Sequence, residues 1–311
     1  MMETLSGKEG EEIYGVNLIH VCHADLGSED EGAAMDISHT DTVTKALQDI
    51  TGVEHVRTDC CINSCIAYTA NYNALTECPF CLEPRLDDRG KPRQTFDYIP
   101  IIHRLQLQYA HVTRAETLKN YRKEMEDPWE EGIRDYWDGK LHQQHVDNGF
   151  FGDEHDIALG FSTDSLQLFT VGTYPVWPLL LINLNLPPNQ RVKKRNLILC
   201  GVIPGPNNPK DIQSFLRVMV DELKQLAFGI EDVYDASTKA KFTLRAHLCI
   251  VSGDLPAIAK VMGISGHNSY EYCRFCTVRG IHECHVYCPL RTPEGYPPES
   301  AFNHDPSNLP L

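Results

Sequence analysis

The 311-residue chain has no long apolar run. Its longest, Trp177 to Leu186, is broken by Pro178 and by Asn183 and Asn185, well short of the roughly 20 residues a membrane-spanning helix needs. No membrane segment is therefore expected. Positive charge is also scarce: 28 Lys and Arg stand against 43 Asp and Glu, a net charge of −15, so composition alone does not suggest a nucleic-acid partner. The opening Met1-Met2-Glu3-Thr4-Leu5-Ser6-Gly7 has neither a basic start nor an apolar core, so neither a signal peptide nor a transit peptide is expected. Internal repeats and low-complexity tracts are lacking too. Without a secretory signal, the 12 cysteines are expected to be reduced and available to metal rather than paired in disulfides.

The charge deficit is unevenly spread. Residues 1–160 carry 30 acids against 14 Lys and Arg, a net of −16, whereas residues 161–311 carry 13 against 14, a net of +1. Only the second half is electrostatically tolerable to a phosphate backbone, and only slightly.

Four of the cysteines are spaced for chemistry. Cys61, Cys65, Cys78 and Cys81 form C-x3-C-x12-C-x2-C, two short hooks that can gather four thiolates around a tetrahedral zinc ion. Such a site has no open position, so it supports folding or binding and not catalysis. Cys60 is a spare beside Cys61.

Residues 1–50 are polar and acidic, and read as a disordered leader with a short helix near Thr42–Ile50. Residues 51–100 form the zinc module, and 101–156 a helical connector. From residue 157 to 311 the texture is that of an α/β core: strands at Ile157–Asp164, Leu179–Leu184 and Leu197–Ile203, with a turn over Pro187–Arg195 between the last two. A helix follows, with Asn208 as cap, Pro209 in the first turn and Asp211 at its positive end. Its apolar face is Ile212, Phe215, Leu216, Met219, Val220, Leu223 and Leu226, and Gly229 stops it. A fourth strand is expected over Phe242–Val251, and a helix opening at Pro256 carries Ile258, Val261 and Met262.

In this β, β, β, α, β, α order one aspartate, Asp164, ends the first strand and another, Asp254, follows the fourth. Two adjacent strands can bring such carboxylates within reach of a pair of divalent metals about 3.5–4 Å apart, for in-line attack on a phosphodiester. The bland alternatives are that Asp164-Ser165 is a turn and Asp254 a helix start. Of the histidines, His142 and His145 lie in a polar segment and His247 in a strand, and none is assigned a role. The basic run Arg191-Val192-Lys193-Lys194-Arg195 is a candidate contact for DNA phosphates or a nuclear import signal, or else a solvated turn.

Longer motifs carry a family resemblance. Asp59-Cys60-Cys61-Ile62-Asn63-Ser64-Cys65, Cys78-Pro79-Phe80-Cys81, Asp135-Tyr136-Trp137-Asp138-Gly139, Leu184-Asn185-Leu186-Pro187-Pro188-Asn189-Gln190-Arg191, Gly201-Val202-Ile203-Pro204-Gly205-Pro206, Asp254-Leu255-Pro256-Ala257 and Cys273-Arg274-Phe275-Cys276 occur in order. Together they resemble CACTA-type (En/Spm) DNA transposases of the kind abundant in fungi, over roughly residues 52–311. The resemblance implies an incomplete ribonuclease H-like mixed-sheet core preceded by a zinc ribbon. It makes Asp164 and Asp254 the first two acids of a DDE/D site using magnesium or manganese, with structural zinc besides. Cys273 and Cys276 match a second zinc hook, with His282, Cys284, His285 and Cys288 as local candidates for its remaining ligands.

Transposon-end DNA and further copies of the chain are the partners the resemblance implies, and the nucleus the compartment, with the cytoplasm otherwise. Two departures weigh against activity. The family's third acid lies on a helix beyond the second hook, where Glu283, Glu294 and Glu299 sit in Pro- and Gly-punctuated sequence, and the acidic N-terminus offers no basic DNA-binding helix. The expectation is a fragment or decayed copy, inactive in transposition; the rivals are a non-catalytic zinc-dependent DNA- or protein-binding remnant and an unrelated metal-dependent nuclease.

Overall fold

Apolar runs without polar alternation call for strands covered on both faces, and the centre of the molecule is built that way. The computed structural model describes residues 54–127, 132–167, 174–266 and 269–270, together with the backbone of 281–282 and 286–287. Three strands form the heart of the sheet: β3 (Ile157–Thr163), β5 (Pro175–Asn183) and β6 (Ile198–Ile203). β3 and β5 run antiparallel, as do β5 and β6. Two earlier strands, β1 (Val56–Asp59) and β2 (Thr95–Tyr98), extend the sheet beyond β6, and β9 (Ala246–Ser252) closes the other side parallel to β3. The order is β1-β2-β6-β5-β3-β9, with the short β4 (Leu166–Gln167) paired to β5.

The helices are α1 (Ile102–Tyr109), α2 (Val112–Glu126), α3 (Lys140–Asp147), the single turn α4 (Pro188–Arg191), α5 (Gln213–Phe228) and α6 (Leu255–Met262). A hairpin of β7 (Ile230–Asp235) and β8 (Ala240–Leu244) stands apart from the main sheet, as does the two-residue pairing of β10 (Ile281–His282) with β11 (Val286–Tyr287).

The structure corrects the sequence reading of several elements. α5 begins at Gln213, not beside Pro209, and its N-cap Ile212 makes no side-chain cap. Asn208 instead accepts from Trp177 Nε1 at 2.9 Å and from Ser165 Oγ at 3.4 Å. The strand expected over Phe242–Val251 is two strands parted at Arg245, of which only β9 joins the main sheet. The turn over 187–195 contains α4 and a 3-10 turn at Lys194–Asn196. The expected leader and its short helix lie outside the described residues.

One face of the sheet, with Ile157, Leu159, Phe161, Leu179 and Leu181, packs against Phe215, Leu216, Met219 and Leu226 of α5 and against Leu105, Tyr109 and Leu118 of α1 and α2. The expected apolar stripe of α5 is buried except at Val220. Gly229 ends that helix at φ +116°, where a side chain would be strained. Midway along α5 the carboxylate of Glu222 is buried. It accepts from the backbone N–H groups of Ile101 and Ile102 at 2.8 and 2.7 Å, and from the Tyr98 hydroxyl. An anion at the start of α1 satisfies donors the helix cannot. Glu222→Leu strands those donors in the core, so it should lower unfolding free energy by about 3 kcal/mol. Tyr98→Phe should cost about 1 kcal/mol; denaturant titration checks both.

The other face carries Ala158 and Leu184 and is covered by Tyr121, Tyr136, Trp137 and Phe151. Histidines thread this cluster: the His142 ring lies 5.0 Å from Trp137, and His247 lies 5.0 Å from Phe150 and 5.2 Å from Phe151. Burial lowers the pKa of both His145 and His247; His142 lowers the first further, and at His247 burial and Arg245 together outweigh the opposing charge of Asp156. The folded state therefore binds fewer protons than the unfolded chain as pH falls below the ordinary histidine value, about 6.5, and stability drops there. Thermal midpoints should fall between about pH 7 and pH 5.5, and His247→Gln should flatten that slope.

Candidate metal centre and active site

The sulfur atoms of Cys61, Cys65, Cys78 and Cys81 all lie within 4.8 Å of one another, and Cys61 and Cys81 are 3.4 Å apart. A zinc ion with Zn–S bonds of about 2.3 Å implies S···S edges of about 3.8 Å, so the cluster has the size of a tetrahedral zinc site. Local backbone builds it. Ser64 N–H donates to Cys61 O, Asn63 N–H points at Cys61 Sγ from 3.3 Å, and Leu82 N–H donates to Cys78 O. Ser64 and Leu82 both take left-handed backbone, at φ 60° and 61°, to turn the two hooks. Cys60 points elsewhere, into the main core.

The thiols resist sharing negative charge. Burial pushes Cys61 up to about 11, and burial and the Cys61 charge raise Cys65 further. At Cys81 burial opposes ionisation too, but hydrogen bonds from the Glu83 backbone and the Asn63 amide bring it down to about 7. Cys81 accommodates a thiolate, whereas Cys61 and Cys65 resist one. A divalent cation resolves that conflict, which is why metal and thiolates stabilise each other.

The module is fastened to the core rather than tethered to it. β2 meets β6 at Tyr98 and Gly201. A Cβ on Gly201 would sit 2.8 Å from Asp97 O and 2.9 Å from the Phe96 ring, so only glycine admits this approach. Ser64 Oγ and Gln94 Nε2 donate to Gly205 O at 2.5 and 2.9 Å. The backbone N–H groups of Lys210 and Asp211 both donate to the carbonyl of Cys65, each at 3.0 Å. One of the four clustered cysteines thus holds the backbone of 210–211 in the 205–211 loop.

That loop adjoins the far end of the sheet. Ser162 of β3 stands opposite Ser252 of β9. Asp164 and Asp254 each follow two residues later, at the same end of adjacent parallel strands. Gly253 passes close to Thr163 O, 3.1 Å from where its Cβ would be. Asp164 Oδ1 accepts from Ser165 N–H at 2.6 Å, and Asp254 Oδ1 accepts from Ala257 N–H at 2.7 Å, capping α6. Asp254 is exposed and Asp164 half-buried. Among the described residues no third Asp, Glu, His or Cys joins them in a metal-sized group.

The basic run is divided by the fold. Arg191 is buried, paired with Asp135 through two nitrogens and donating to Leu186 O and Leu184 O. Burial opposes ionisation of Asp135, but Arg191 outweighs it and holds that carboxyl below its usual range. Arg191 is therefore not available to DNA, a correction to the sequence reading. Lys193 and Arg195 are exposed and Lys194 half-exposed. Cys273, Cys276, Cys284, His285 and Cys288 lie outside the described residues, as do the side chain of His282 and the later glutamates.

Residues 133–288 match the family described as Transposase family tnp2, half of the chain and the half that carries both aspartates. The chain belongs to this transposase family. Comparison with curated proteins and with solved structures returns no match. The four-cysteine module precedes the matched span.

Purified from zinc-replete medium, the whole chain should hold at least one zinc that is lost on Cys78→Ser or Cys81→Ser. Elemental analysis reads this out. Because ligands must shed protons to bind metal, zinc retention should weaken as pH falls.

Proposed function

We propose that this chain is the zinc-stapled core of a CACTA-type DNA transposase, with Asp164 and Asp254 as two of the acids that hold its divalent metal. The observation that carries the reading is the parallel pairing of β3 with β9, which ends two neighbouring strands in aspartates, within a chain of a transposase family. Further support comes from the order β6-β5-β3-β9, three antiparallel strands and a fourth parallel to the first. It is the arrangement expected of a ribonuclease H-like core.

Each aspartate commits Oδ1 to a backbone N–H and leaves Oδ2 without a hydrogen bond among the described residues. The pair therefore suits one hard cation whose other positions are filled by water and substrate phosphate. Magnesium or manganese there would supply Lewis acidity at the scissile phosphodiester. The role of the chain is to fix both carboxylates on rigid strand ends and to neutralise the cation. A DNA substrate also implies nuclear residence and self-association at paired transposon ends.

Binding and cutting separate experimentally. With two carboxylates at this edge, the chain alone is expected to bind manganese weakly and to leave transposon-end duplex from its own genomic locus uncut. Asp164→Asn and Asp254→Asn should each weaken manganese binding, followed by electron paramagnetic resonance, by tenfold or more, about 1.4 kcal/mol. Manganese binding untouched by both substitutions would remove the metal assignment and leave a non-catalytic, zinc-dependent binding module. Cleavage abolished by Asp164→Asn would keep the site and overturn the expected inactivity.

A further inference from the structure

Beside the acidic edge the fold assembles two lysines. Lys260, on α6, donates from Nζ to Pro209 O at 3.2 Å, and its ammonium lies 5.9 Å from the centre of the Trp177 ring. Pro209 is followed directly by Lys210, whose own backbone N–H is held by Cys65 O. The ring N–H of Trp177 donates to Asn208, which also accepts from Ser165, the neighbour of Asp164. α6 itself is capped by Asp254. Lys260 and the backbone of Lys210 thus lie beside the segments that carry the aspartates.

Charge makes this placement unexpected. In a chain of net charge −15 lysines have carboxylates in excess to pair with, yet among the described residues neither Lys210 nor Lys260 forms a salt bridge. Instead Lys260 Nζ lies against the carbonyl of Pro209, the residue before Lys210, and Lys260 is half-buried. Burial lowers the Lys260 pKa and the Lys210 charge lowers it further. Like charges held together at partial burial are relieved by an anion between them. Lys260 has donors to spare for one, since an ammonium carries three and Pro209 O takes one.

We propose that Lys210 and Lys260 are a phosphate-contact pair that seats a DNA strand against the Asp164 and Asp254 edge, which rests on the nucleic-acid function proposed above. The cysteine module sets the backbone of Lys210 through Cys65 O, and α6 sets Lys260. Arginine would contact phosphate bidentately; lysine acts as a point charge and tolerates a strand that shifts during reaction.

The test is a salt titration of binding to a fluorescently labelled 20-base-pair duplex, read by anisotropy in zinc-containing buffer without magnesium or manganese. Each phosphate contact on duplex DNA contributes about 0.9 to the slope of log affinity against log salt. The Lys210→Gln/Lys260→Gln double variant should lower that slope by about 1.8, with zinc content and unfolding midpoint as in the unaltered chain. Asp164→Asn/Asp254→Asn should bind at least as tightly as the unaltered chain, since it sheds two negative charges. An unchanged slope and affinity in the lysine variant, with the unaltered chain binding normally, would overturn the lysine assignment and leave the DNA function standing. No binding by the unaltered chain at about 50 mM salt, where phosphate contacts are strong, would overturn both.

Discussion

Everything at the acidic edge depends on the parallel pairing of β3 with β9. Parallel strands cannot be joined by a tight turn, so the chain between them must make a long crossover. Here the crossover is β5, β6, α5 and the β7–β8 hairpin, and each part is used. β5 and β6 widen the sheet, α5 covers one face and its Glu222 anchors the start of α1. The register shift between Leu159 and Gly160 lies within the same pairing, and beyond it the strands run level to their ends. A slip by one residue would send one aspartate to the opposite face of the sheet.

The central strands were legible because both of their faces are buried and the sequence there is nearly continuous apolar residue. The four metal-spaced cysteines were legible because their chemistry fixes their spacing. The β7–β8 hairpin was hidden: Ile230-Glu231-Asp232-Val233-Tyr234-Asp235 mixes acids into the strand, and β8 reads straight into β9 across Arg245. α5 was begun too early because Asn208, Pro209 and Asp211 have the chemistry of a helix start. The fold gives Asn208 to Trp177 and the Asp211 amide to Cys65, while the Asp211 carboxylate does meet the helix start, accepting from Gln213 N–H at 3.0 Å. Arg191 was misread because a basic run does not disclose which guanidinium turns inward. Asp135, in a motif already singled out, was the available signal for its partner. The two aspartates could be named from the sequence, but their level placement needed the strand register.

Among the described residues several buried charges are matched in networks. Lys119 donates to Asp235 at 2.6 Å, and His155 Nε2 lies 3.0 Å from the same carboxylate. Arg122, also buried, reaches the carbonyls of Phe151 and Asp153 and the carboxylate of Glu126. Removing one partner of such a group costs more than the pair contributes, because the other is left charged and dry. These networks tie α2 to the segment that leads into β3 and to the β7–β8 hairpin that precedes β9. Against that pattern the half-buried Lys260 beside Trp177 has a carbonyl and a ring for neighbours and no carboxylate partner among the described residues.

The fastening of the cysteine module also has a consequence in time. Ser64, Cys65 and Ala67 emerge from the ribosome long before Gly205, Lys210 and Ser214, the residues they grip in turn. At about 5–20 residues per second this gap is on the order of ten seconds. During it the four thiols are already out, with no core to dock on. Zinc capture in that interval would hand the later residues a finished surface to fold against, whereas a module left empty would meet them unformed. The same metal would then act as a clock for assembly, setting which half of the chain waits for the other.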